Sequence, residues 1–152
     1  MNEDLIRDPY EDGLIDKDPF SKVASIKFKI VAVLDISFEN RRMDLMDTFS
    51  RSIVKNSVVE FALTSEKNIR PGKIVDSVQY IGFGAAQMSG QATVGRKVSI
   101  EGHYIGTVLG FNDTHSPNHL NVVIGNESRY GIKYLNEKEL KLGDLLNIKS
   151  HP

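Results

Sequence analysis

Short runs of apolar residues that alternate with polar ones, separated by glycines, constrain this chain more than any other feature. The alternation begins at Val23 and continues to Ile30, and four apolar residues follow at positions 31–34. A period of two is typical of a strand with one buried face, and a continuous apolar run is typical of a strand buried on both faces. Seven or eight such runs with turn residues between them predict an all-β fold, a small closed or partly open β-barrel, rather than an α/β fold.

The predicted strands after the first are short. They cover residues 58–63, 74–81, 98–100, 104–109, 120–124, 130–135 and 145–148. Glu101-Gly102 lies between two of them and predicts the turn of a hairpin. Residues 38–50 are ambiguous, because their apolar positions also fit one face of a helix. One short helix is therefore left open there.

Glycine marks the beginnings and ends of the predicted strands. In three segments a glycine and one or two polar residues precede the apolar start of a strand, and these glycines are Gly72, Gly95 and Gly143. Since glycine adopts positive φ without steric cost, we expect such a turn before each strand, although any strand entry favours this chemistry. The strand that contains Tyr80 is predicted to end at Gly82, and residues 82–90 to form a glycine-rich loop.

Charge divides the chain into two parts. The first 20 residues contain seven acids and two bases, which is a net charge of −5. Because the whole chain has a net charge of −1, residues 21–152 carry +4. The sequence predicts an acidic flexible N-terminal arm at residues 1–22 and a single β-barrel domain at residues 23–150. Charge runs are usually solvated, but an arm that covers a basic groove or reaches a neighbouring subunit stays open as an alternative.

Composition excludes several classes of function. The chain has no cysteine, which excludes disulfides, thiolate metal sites and cysteine catalysis. No apolar run approaches the roughly 20 residues of a membrane-spanning helix, and the acidic N-terminus does not resemble a signal peptide. We therefore expect a soluble, cytoplasmic protein. The net charge of residues 21–152 is modest and their bases are scattered, so nucleic acid is not an expected partner.

The densest polar cluster connects two predicted strands at residues 110–121. A loop that is rooted on two rigid strands is a common place for a binding site. The candidate ligand-binding residues are Asp113, Thr114, His115, Asn118, His119 and Asn121. With the predicted loop at 82–90, this segment would form the mouth of the barrel.

His115 and His119 have the spacing that places two imidazoles on one face of a helix. Pro117 disfavours a helix at Ser116, and no glutamate follows the first histidine. A turn that converges both rings, with Asp113 as an oxygen ligand, would suit a divalent transition metal. Three interpretations remain open: a turn whose polar residues bond their own backbone, a metal site, and a site for an organic ligand or for acid–base chemistry.

The chain resembles an uncharacterised prokaryotic family of small β-rich domains of unknown function. The resemblance spans roughly residues 24–150 and is carried by Arg70-Pro71-Gly72, Val75-Asp76, Gly82-Phe83 and the segment Gly-Phe-x-x-Thr-His-x-Pro-Asn-His-Leu-Asn at residues 110–121. It implies a β fold and draws attention to the last segment. It implies no reaction.

The sequence favours a binding module whose polar loop at residues 111–121 holds a small polar ligand or a protein partner. One alternative is a metal-dependent enzyme that uses His115, His119 and Asp113. The other is a structural subunit of a homo-oligomer, built through strand edges and the acidic arm. No catalytic residue is identifiable, and the sequence does not decide whether the protein is an enzyme.

Overall fold

A computed structural model describes residues 19–126 and 139–150, together with Gly13 and the backbone of Lys133–Tyr134 and of Lys138. Its strands are β1 Ile26–Phe38, β2 Met43–Asp44, β3 Ser50–Ile53, β4 Val58–Thr64, β5 Ile74–Val75, β6 Val78–Ala86, β7 Gly90–Thr93, β8 Lys97–Ile100, β9 His103–Asn112, β10 Leu120–Gly125, β11 Lys133–Tyr134, β12 Lys138–Glu139 and β13 Leu145–Ile148. Most of the predicted acidic arm at 1–22, and most of the predicted strand at 130–135, lie outside the described residues.

Seven of these strands close into a barrel in the order β1-β13-β8-β9-β10-β4-β6. Neighbours in the barrel are antiparallel, except that β10 and β4 run parallel. The predicted all-β barrel is confirmed. The sequence pattern did not reveal the parallel pair, which joins strands that are distant along the chain.

Alternation along each strand separates the barrel interior from its outer wall. On β4, Phe61 points inward and packs edge-to-face on Phe28, with ring centroids 5.1 Å apart. Its neighbours Glu60 and Ala62 therefore point outward. A second apolar cluster lies outside the wall and includes residues of β2, β5 and β6. The segments that carry β2 and β5 thus form a partial outer layer.

The short helix left open at residues 38–50 is not present, and no helix occurs in the described part of the chain. The segment instead contains β2 and the first residue of β3. The backbone N–H groups of Leu45 and Met46 donate to the carbonyls of Lys73 and Phe111 rather than to the preceding turn. The apolar side chains of this segment, among them Met43 and Leu45, pack against the outside of the barrel wall instead of forming one face of a helix.

The predicted strand end at Gly82 is also wrong, because β6 continues to Ala86. A Cβ atom at Gly82 would lie 2.4 Å from the carbonyl oxygen of Ala32 on β1. Glycine is present here because the two backbones approach closely. The connection after β6 is confined to residues 87–89.

The turn predictions are confirmed. Glu101 and Gly102 have φ values of 47° and 81°, as expected for the central residues of a type I′ hairpin turn. Gly72, Gly95 and Gly143 have φ values of 85°, 92° and 89° and lie just before β5, β8 and β13.

Candidate functional site

Four neighbouring strands place one residue each in a row on the outer wall of the barrel. Asn121 on β10 lies between Asn112 on β9 and Glu60 on β4, and Phe83 on β6 lies on the far side of Glu60. We call these four residues the outer row. They face outward because adjacent residues on the same strands, such as Phe61, belong to the interior core.

The side chain of His119 lies over the outer row. Its Nε2 atom is 3.2 Å from Glu60 Oε1, and its ring meets Phe83 edge-to-face with centroids 5.0 Å apart. Its Nδ1 atom is 2.8 Å from the Asn118 amide nitrogen, Nδ2. Since an amide NH₂ only donates, Nδ1 accepts, and in the neutral ring the proton lies on Nε2 and is donated to the carboxylate.

The pair between Glu60 and His119 is almost removed from solvent, with exposed side-chain fractions of 11% and 10%. A buried carboxylate is costly unless a donor compensates it, and His119 supplies that donor. Reasoning from the sequence missed Glu60. The available signal was a single charged residue in the middle of the apolar run at residues 58–63.

Asn112 and Asn121 join the two ends of the polar loop. Asn121 Nδ2 donates to Asn112 Oδ1 at 3.0 Å, and Asn112 Nδ2 donates to the Asp44 carbonyl at 2.7 Å. The backbone N–H of Thr114 also donates to Asn112 Oδ1. Asn121 is fully buried, and its Oδ1 has no hydrogen-bond partner among the described residues. Of the predicted site residues, Asn121 therefore lies beneath the loop rather than on its surface.

The remaining predicted residues lie on a tight, solvent-exposed turn. The N–H of Ser116 donates to the Asp113 carbonyl, and the N–H of Asn118 donates to the His115 carbonyl. Asp113, His115 and Asn118 are exposed. The ring of His115 stacks on that of His119, with centroids 5.0 Å apart and an interplanar angle of 26°.

The metal interpretation requires the two imidazoles to share an ion. Both ring nitrogens of His119 are already engaged, and the stacked rings present their faces to each other. Imidazole lone pairs lie in the ring plane, so a shared ion would require one ring to rotate. In the part of the chain that the structure describes, no group of three or more His, Asp or Glu side chains is arranged to hold a metal ion.

A cleft of about 270 Å³ lies between the loop and the segment from β3 to β4. Asp113, Asn118 and His119 line one side, and Arg51 and Val58 line the other. This volume is smaller than the roughly 300–1,000 Å³ of sites for drug-sized ligands. The cleft thus suits a ligand that is smaller than a typical drug molecule. The sequence reasoning did not single out Arg51.

A larger cleft of about 890 Å³ lies where β4 and β10 end, between residues 64–69 and the hairpin that begins β9. His103, which is half-buried, lines it together with the exposed Tyr104. His103 and His119 therefore line different clefts. The smaller cleft is the candidate site, because its wall carries the imidazole that Glu60 holds in place.

The charge of Glu60 also acts on Tyr80. Burial raises the pKa of the Tyr80 hydroxyl, and the nearby Glu60 carboxylate adds to the rise. Arg41 opposes it, both by its charge and by a hydrogen bond from Nε to the hydroxyl oxygen at 2.8 Å. Tyr80 thus stays a neutral phenol in the outer apolar cluster.

Comparison with known proteins assigns the family but not an activity. The chain belongs to DUF6917, a family of unknown function whose model matches residues 20–149. Searches of the curated proteins and of the solved structures gave no significant match. In the residues that the structure describes, there is no helix long and apolar enough to cross a membrane.

Proposed function

We propose that this member of a family of unknown function is a small-molecule binding module, whose polar ligand occupies the cleft beside His119. One observation carries the proposal: the imidazole on the cleft wall is held by three contacts, with Glu60, Asn118 and Phe83. A side chain that is fixed before the ligand arrives loses little further entropy on binding. Fixing it this way uses a buried carboxylate, which a purely structural turn does not need.

The other residues of the loop have distinct parts in this proposal. Asp113 and Asn118 line the cleft and contact the ligand, and His115 covers the exposed face of the His119 ring. Thr114 and Asn121 act at the base of the loop, where both bond to Asn112 Oδ1. Val58 and Leu120 supply apolar contact area. This mixture of a few oriented polar groups and apolar walls is typical of small-ligand sites.

A thermal-shift screen of the full chain against small polar metabolites tests the proposal. A ligand at about 100 times its Kd stabilises the folded state by about 2.7 kcal/mol, which is a clear rise in Tm. We expect at least one compound to raise the Tm of the wild-type protein and of His103→Gln. The same compound should have no effect on His119→Gln, because that variant lacks the imidazole on the cleft wall.

His103→Gln is the matched control, because it removes an imidazole from the other cleft. Circular dichroism establishes that both variants keep the β fold. If no compound shifts the wild-type Tm, or if His119→Gln responds as the wild type does, the proposed site is overturned.

Elemental mass spectrometry of untagged protein, purified without chelator, compares this proposal with the metal alternative. A near-stoichiometric transition metal that is lost when His115 and His119 become alanine would replace the ligand site by a metal site at these residues and Asp113. Absence of bound metal after incubation with zinc, nickel and manganese leaves the cleft to an organic ligand.

A cytoplasmic location is part of the proposal and is supported by composition alone. A ligand of this size is then a molecule of the cytoplasm, which is why the screen uses small metabolites. Cell fractionation of the full chain tests the location separately from the ligand.

A further inference from the structure

Arg51 is held on the wall of the same cleft by a short strand pair. It lies on β3, where its backbone is opposite Ala92 of β7. The next residue, Ser52, is exposed, and its hydroxyl bonds the Gln91 amide. Ile53 then points inward and is only 4% exposed. Since side chains alternate along a strand, Arg51 is on the inward face with Ile53, and it is half-buried.

The guanidinium of Arg51 has a weak partner for a half-buried charge. Its Nη1 atom is 3.7 Å from the Met46 sulfur, and a thioether is a poor acceptor. Within the described ranges, no carboxylate pairs with the Arg51 guanidinium. Removing a cation from water without a counter-charge is costly, so an anion from solution is stabilised here.

We propose that the ligand of this cleft carries a carboxylate or phosphate group, which pairs with the Arg51 guanidinium. The inference rests on the proposed function and names the class of its ligand. The planar guanidinium offers parallel N–H donors that match two oxygens of either group.

Asp113 limits the total charge of the ligand. Its carboxylate lines the loop side of the cleft, is exposed, and has no cationic partner within the described ranges. It repels a second negative group and attracts a hydrogen-bond donor or a cation. The ligand is therefore a small monoanion, or a zwitterion, whose negative end lies at Arg51 and whose other end lies at Asp113.

Nuclear magnetic resonance of the ¹⁵N-labelled full chain tests this with two probes, acetate and inorganic phosphate, at constant ionic strength. We expect the Arg51 Nε–H resonance to shift saturably with at least one probe. Saturation with acetate alone indicates a carboxylate ligand, and saturation with phosphate alone indicates a phosphate ligand. Saturation with both indicates that the site recognises the negatively charged oxygens that the two groups share. A shift that grows without saturation for both probes overturns the inference.

Variants test whether the Arg51 guanidinium itself binds the probe, rather than positive charge in general. Arg51→Gln should weaken binding of the probe by about tenfold or more, because it removes a charge-assisted pair. Arg51→Lys should retain part of the affinity, since a single ammonium keeps the charge but loses the fork. Arg70→Gln removes an exposed arginine elsewhere and should bind as the wild type does. Equal affinity in Arg51→Gln and the wild type contradicts the inference.

The metabolite screen distinguishes failure of this inference from failure of the proposed function. If every compound whose binding depends on His119 is neutral or cationic, the proposed binding module is supported and the proposed role of Arg51 is wrong. If anions bind and depend on Arg51 but not on His119, the anion site stands and the proposed role of His119 is wrong.

Discussion

Glu60 and His119 stabilise each other on the outer wall of the barrel. A glutamate at the centre of an apolar strand is unfavourable unless its carboxylate is compensated, and the Nε2–H of His119 compensates it. The imidazole in turn gains a fixed tautomer and orientation from Glu60 and Asn118. The two residues are 59 positions apart, and the parallel pairing of β4 and β10 brings them together.

Tyr80 provides a prediction at the residue scale. It is 6% exposed, and burial raises the pKa of its hydroxyl above that of an unfolded chain. A raised pKa in the folded state gives stability that is fully present below about pH 10 and is lost as the pH rises through the folded pKa. We therefore expect the stability advantage of the wild type over Tyr80→Phe to shrink as the pH is raised from 8 towards 11.

Urea unfolding across this pH range measures that difference. Tyr104→Phe is the matched control, because Tyr104 is 57% exposed. Its stability should follow the wild-type pH profile. A constant difference between Tyr80→Phe and the wild type would show that the hydroxyl does not titrate in this way.

At the scale of strands, the contact between β1 and β6 depends on a missing side chain. A Cβ atom at Gly82 would lie 2.4 Å from the Ala32 carbonyl oxygen. Because this oxygen belongs to the backbone of β1, it cannot move away as the end of a flexible side chain could. Gly82→Ala should therefore force the two strands apart. We expect a loss of about 2 kcal/mol or more in the free energy of unfolding, the size of a strained overpacked site.

Chemical denaturation measures this loss, and hydrogen exchange at Val33, which is opposite Gly82, locates it. Gln79→Ala changes a half-buried residue on the same strand and should stay within about 0.5 kcal/mol of the wild type. Wild-type stability and exchange in Gly82→Ala would mean that the strands tolerate the methyl group.

At the scale of the whole molecule, one buried arginine links three parts of the chain at one end of the barrel. Arg96 is 5% exposed and donates to the carbonyls of Ala24, Gln91, Ile148 and Lys149. These carbonyls belong to the chain before β1, to β7, and to the end of β13. The five N–H donors of a guanidinium suit this task, whereas a lysine has no fork.

We expect Arg96→Ala to destabilise the protein by about 3 kcal/mol or more, because it leaves several carbonyls unsatisfied in a buried place. Arg96→Lys should fall between this variant and the wild type. The exposed neighbour Lys97 provides the control, and Lys97→Ala should change the free energy of unfolding by less than about 0.5 kcal/mol. Urea unfolding of the three variants measures these changes. An equal loss of unfolding free energy in Arg96→Ala and Lys97→Ala would contradict the linking role of Arg96.

The sequence by itself determined the local properties of this fold. Alternation and β-branched residues predicted the strands, and glycines before β5, β8 and β13 predicted turns with positive φ, because both depend on neighbouring residues alone. Local patterns failed where distant contacts decide. The apolar spacing at residues 38–50 suggested a helix but covers the barrel wall, and Gly82 suggested a strand end but accommodates β1.

The candidate site shows the same division. The loop at residues 113–119 was evident from its polar and turn-forming residues, and so were His115 and His119. Only the tertiary structure brought in Glu60 and Arg51, and only it placed Asn121 beneath the loop. The physical reason is that strand order and register set which side chains meet across the barrel wall, and those depend on closing the whole sheet rather than on any local run of residues.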